Sequence, residues 1–144
     1  MVRLWLHLKN RRKRRKTRSV WIRPYLTRRA SHGHHENLMR ELAEEDSIVY
    51  RNFTHLDADL FNQIVERVRP HIEKSRTFWR EPSEPALRVA ITLRFLATGN
   101  SYKSLGYAFR VAPNTISLLV PETCRAIVAA YGDEVMQRPD TPEG

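Results

Sequence analysis

The sequence predicts an all-α protein, a small helical domain ending in a helix-turn-helix and preceded by a disordered basic arm. Three observations predict it. Apolar residues recur three and four apart along most of the chain, and no strand-like alternation persists beyond a few residues. Residues Asn100 to Tyr131 hold two such periodic runs joined by a very short break, with Gly99 before them as a helix stop and Pro113 at the second start. The charge is also partitioned. Lys and Arg number twelve between Met1 and Ser31 with no Asp or Glu, whereas His32 to Gly144 is slightly acidic, and the total is +9.

Residues 1–22 form the arm. Its like charges repel and it has little apolar surface to bury, so it is expected to be disordered in isolation. The cluster Arg11, Arg12, Lys13, Arg14, Arg15, Lys16, followed by Arg18, has the character of a nuclear-import or nucleic-acid patch. Trp5 and Trp21 flank it and suit either base stacking or packing on a core. A mitochondrial presequence would share the Arg-rich, acid-poor composition but not this compact cluster. The opening apolar run is too short and interrupted for a secretory signal, and no run reaches membrane-spanning length. Nuclear localisation is therefore expected, with cytoplasm as the alternative.

The helical domain spans residues 23–136. Pro24 opens a short helix through about Arg29, with Arg28 and Arg29 near its end. His32, His34 and His35 around Gly33 are expected in a loop, without enough ligands in reach for a metal site. A helix follows from His34 to Glu45, then a second short one from Asp46 to Phe53. Glu41, Glu44, Glu45 and Asp46 suit a solvated face. Asp57 caps Ala58–Ile72, whose apolar stripe is Leu60, Phe61, Ile64, Val65, Val68 and Ile72, with Pro70 distorting the last turn. Phe78 and Trp79 are expected to anchor the polar connection that follows. Ser83 caps the next helix, and Leu87 to Ala97 is apolar on nearly every side, so it should form the buried floor of the motif.

Ser101 caps the first helix of the motif, where Leu105, Ala108 and Phe109 share a face. Arg110-Val111-Ala112 is the turn, with Val111 as an apolar plug. Ile116, Leu119 and Val120 form the buried side of the second helix. Asn114, Thr115 and Ser117 fall opposite. In a helix-turn-helix the second helix enters the major groove with its first residues against base edges. Asn can bond bidentately to adenine, and Thr or Ser can bond to bases or phosphates. The same residue types also suit a plain helix start. Tyr102, Lys103 and Arg110 are the candidate phosphate contacts. Pro121 is expected to kink or restart the helix and Gly132 to end it, with Val135 and Met136 adding a turn. Cys124, Ile127, Val128 and Tyr131 continue the apolar stripe, Cys124 as a buried core residue. A single cysteine forms no intrachain disulfide, in keeping with a reducing compartment. Residues 137–144 form a tail.

No catalytic constellation emerges. The glycines are scattered, no Cys and His pair suggests a nucleophile, and the acids lie at caps or on exposed faces.

The runs RNFTHLDADLFNQIVERVRPHIEK and ALRVAITLRFLATGNSYKSLGYAFRVAPNTISLLVPETCRAI, and the ending RPDTPE, resemble the N-terminal part of PIF/Harbinger transposase-derived nucleases. The preceding WIRPYLTRRASHGHHENLMREL extends the resemblance to residues 20–143. It implies a helical region carrying the helix-turn-helix. It also implies a downstream nuclease domain in which three acidic residues hold divalent metal. None of those acids falls on this sequence, so this chain is expected to be no enzyme, to need no cofactor and to be a truncated or partial member. The resemblance further implies a Myb-like protein partner beside DNA, and so an alternative role as a protein-interaction module. Ala112-Pro113-Asn114 stands where Gly-Lys-Ser is common, which removes a phosphate-contacting Lys from the turn and leaves more of the electrostatics to the arm.

Overall fold

A computed structural model describes residues 22–73 and 84–136, and among them the regular structure is all helical. The helices are α1 (Pro24–Thr27), α2 (Arg29–His32), a π-helical turn (His34–Met39), α3 (Arg40–Glu45) and α4 (Ser47–Thr54). They continue with α5 (Ala58–Glu73), α6 (Pro85–Thr98), α7 (Tyr102–Phe109) and α8 (Pro113–Val135). The arm with Arg11 to Arg18, Trp5 and Trp21, the connection with Phe78, Trp79 and Ser83, and the tail 137–144 lie outside the described residues.

The core is built where α5, α6 and α8 pack on one another. Its fully buried side chains include Val68 of α5, Leu87, Val89 and Ile91 of α6, and Ile116 of α8. Phe61, Val65, Val68 and Ile72 recur at four, three and four residues, so one side of α5 is apolar along its length. Buried Thr92 and Thr123 donate their hydroxyls to the carbonyls of Arg88 and Leu119, both at 2.8 Å, which satisfies two polar groups inside the core. Arg67 ties the end of α8 to α5. Its guanidinium bonds the Glu134 carboxylate and the Ala130 carbonyl (3.0 Å) and lies 4.1 Å from the centre of the Tyr131 ring. That contact holds the Glu134 carboxyl below its ordinary pKa.

Several elements differ from expectation. The early histidines are not in a loop: His32 ends α2, and His34 and His35 lie in the π-helical turn. The first helix breaks at Arg28, and the helix expected from His34 begins as the π-helical turn before α3. Leu60 is 43 % exposed, because the core side of α5 begins one residue later at Phe61. Pro70 lies inside α5, which runs on to Glu73. Glu84, not Ser83, occupies the position before α6, and its side chain makes no capping bond. The wholly buried residues of α6 end at Thr92; Leu93 and Phe95 are half-buried and Leu96 is 62 % exposed.

The largest difference is at Pro121. The helix does not restart there, and α8 is continuous from Pro113 to Val135. Leu119, Val120, Thr123 and Ala126, on both sides of the proline, are buried against the same core, so packing holds the helix across the missing donor. Gly132 does not end it either, since the Arg67 anchor lies around Ala130, Tyr131 and Glu134. Cys124 is half-buried rather than core, and Val128, Val135 and Met136 are exposed.

Candidate nucleic-acid interface

Helices α7 and α8 form the helix-turn-helix, with the extent of α7, the turn and the start of α8 as expected from the sequence. Gly99 closes α6 in the left-handed region (φ 64°), and the Ser101 hydroxyl accepts from the Ser104 N–H at 3.2 Å. The chain then turns at Arg110, a non-glycine residue with φ 52°. Val111 is buried as the plug between the two helices, and Pro113 starts α8. Gly106 permits this close turn. A Cβ there would lie 2.8 Å from the Val111 carbonyl oxygen and 3.3 Å from Pro113 Cγ. Sequence periodicity carries no signal for that approach, which depends on how the turn folds back on α7.

Ile116, Leu119 and Val120 are buried, and this orients the opposite side of α8 outward. Asn114 and Ser117 are exposed and Thr115 is half-buried. The Ser117 hydroxyl donates to the Asn114 carbonyl at 2.7 Å, so the Asn114 carboxamide is the more available hydrogen-bonding group. Lys103 is exposed on α7. Tyr102 is half-buried, its ring centred 5.2 Å from that of Phe95. Arg110 is half-buried and turned back on the domain, donating to the Tyr25 carbonyl at 3.2 Å. The proposed phosphate contacts are thus not equivalent, for Lys103 faces solvent while Tyr102 and Arg110 are engaged within the domain.

Two exposed apolar residues on these helices were not singled out in the sequence. Leu118 is 63 % exposed one position after Ser117, and Tyr107 is 68 % exposed on α7. Their apolar character masked them, because periodicity assigns Leu and Tyr to a core by default. Tyr107 lies beside Tyr25 of α1, with ring centroids 6.1 Å apart. Through this contact and the Arg110 bond, α1 rests on the helix-turn-helix and brings exposed Arg23 and Arg28 to its flank. Ile22, three residues before Tyr25, is where the arm joins the described chain.

Elsewhere, His34 packs edge-on against Phe53 and Phe109, with centroids 6.0 and 5.8 Å away. Its pKa is lowered by burial and then by the charge of Arg94. His35 is lowered by burial, an effect that Glu36 and Glu84 oppose and Arg29 reinforces. Among the described residues, no three His, Cys, Asp or Glu side chains converge as metal ligands, and no helix is long and apolar enough to cross a membrane. No family model, curated protein or solved structure matches the chain.

Proposed function

We propose that this chain is a DNA-binding module, the helix-turn-helix region of a Harbinger transposase-derived nuclease, acting in the nucleus. The observation that carries the proposal is the exposed start of α8. Asn114 and Ser117 face solvent there while Ile116 is wholly buried beneath them, as a helix that enters a major groove requires. The resemblance of residues 20–143 to that family agrees with it. The basic arm supplies sequence-independent affinity. It joins the domain at Ile22, and three residues span at most about 11 Å, so its tether lies close to Tyr25 and the α7 surface.

Binding of labelled duplex DNA, followed by fluorescence anisotropy across a salt series, tests this. If about six phosphates are neutralised, log K falls against log salt with a slope of roughly −5. Removal of residues 1–18 flattens the slope. A salt-independent affinity overturns the proposal. Cleavage is not assigned to residues 1–144, and metal-dependent nicking by this polypeptide would refute that part.

A second role is favoured by Leu118 and Tyr107, which put exposed apolar side chains on both helices of the motif. On it, the motif docks a Myb-like protein. Capture of such a partner that survives high salt and the loss of Asn114 and Thr115 would favour docking over direct readout.

A further inference from the structure

The exposed side of α8 does not end with Asn114. Asn114, Leu118, Glu122, Arg125 and Ala129 follow at spacings of four, four, three and four, so they form one stripe along the helix. α8 continues through Pro121, and at 1.5 Å per residue Arg125 lies about 16 Å from Asn114 along the helix.

At the Arg125 end the stripe borders an open cleft between α5, α6 and α8, lined by His71, Ile72, Arg88, Glu122, Arg125 and Ala126 among others. The cleft has three basic side chains and one acid. Arg125 is exposed and forms no ion pair among the described residues. Arg88 is mostly buried, with its side chain 15 % exposed, and Nη1 reaches Glu122 at 3.4 Å. That is a loose contact for a charge-assisted bond, which closes to about 2.7–2.9 Å when strong. The buried Nε of Arg88 meets no acceptor among the described residues. A buried guanidinium donor without an acceptor is costly, and the Arg88 side chain that carries it lines the cleft, where an anion would meet its positive charge.

We propose that this cleft binds a phosphate group, and that in the DNA complex the group is a backbone phosphodiester at the far rim of the groove that Asn114 enters. The proposal rests on the DNA-binding role assigned above. A major groove is about 12 Å wide. Arg125 stands beyond that width along α8, where its long side chain can reach back to a phosphate at the rim of the groove. Arg125 and Arg88 carry the charge, His71 adds a third donor, and Glu122 competes with the ligand. Phosphate contacts of this kind set register and orientation rather than sequence preference.

The test uses the full chain and anisotropy with two duplexes of different sequence. Arg125→Gln should weaken binding to both by a similar factor and reduce the salt slope by about one. Arg125→Lys should restore the slope. Glu122→Gln should tighten binding. Arg40→Gln and Glu44→Gln are controls that change charge equally at exposed positions away from the cleft, and both should have smaller effects. If wild-type binding is strong and salt-dependent but Arg125→Gln matches Arg40→Gln, the cleft proposal is overturned and DNA binding stands. If the wild type binds no DNA, the role assigned above fails, and an NMR titration with inorganic phosphate decides the cleft. Saturable shifts at the Arg88 and Arg125 side chains would support a site for free phosphate. Their absence would overturn it.

Discussion

Asn114 owes its availability to two neighbours. Ile116 is buried and sets the rotation of α8, and Ser117 bonds the Asn114 carbonyl rather than its carboxamide. Asn114→Ala should therefore cost about 1–3 kcal/mol in binding to a preferred site, with little change for an unrelated duplex and none in melting temperature. Competition binding with the two duplexes measures this. His34 makes a different prediction. Its folded pKa lies below the ordinary 6.5, so between the two values the unfolded state holds more protons. The stability it contributes is present above pH 6.5 and is lost as pH falls through the folded value. Melting temperature should drop from pH 7.5 to pH 5, and His34→Phe, set between Phe53 and Phe109, should shrink the drop. The solvent-facing place of Asn114 was legible from its position after Pro113, whereas the packing of His34 was not, because its aromatic neighbours come from α4 and α7.

Among the elements, the turn of the helix-turn-helix is held by close approach. Gly106→Ala would press a methyl against the Val111 carbonyl, which is backbone and cannot swing away. Overpacking of this order costs about 1–3 kcal/mol, and urea denaturation should show a lowered midpoint. The length of α8 was misjudged from the sequence, because Pro121 and Gly132 are local breakers. Buried residues on both sides of Pro121 and the Arg67 anchor near Gly132 overrule them. α7 and the start of α8 were legible because capping and periodicity there agree with the packing. At Leu60, Leu96 and Val128 the same periodicity pointed inward, but these side chains are exposed while neighbours such as Ile64, Phe95 and Ile127 pack on the core.

For the molecule as a whole, the excess charge and the packed core are assigned to different parts of the chain. The excess of positive charge lies in residues 1–31, while among the described residues the buried side chains begin at Met39 in the helical domain. Removal of residues 1–18 should therefore weaken DNA binding most at low salt and leave the melting temperature within a degree or two. Ile91→Ala, at a wholly buried position of α6, should do the reverse, losing about 2–5 kcal/mol of stability. Parallel thermal denaturation and salt titration of the two variants check this separation.

The helical class, the two helices of the motif with their short turn, and the separation of a basic arm from a nearly neutral domain all follow from local information. Caps, periodicity and charge act over a few residues, so they can be read along the chain. The continuity of α8, the seat of α1 on α7 and the cleft that joins His71, Arg88 and Arg125 depend on residues far apart in sequence. Such contacts form only when several helices pack at once. Packing energy summed over a core can exceed the cost of one proline, and it places side chains together that no spacing relates.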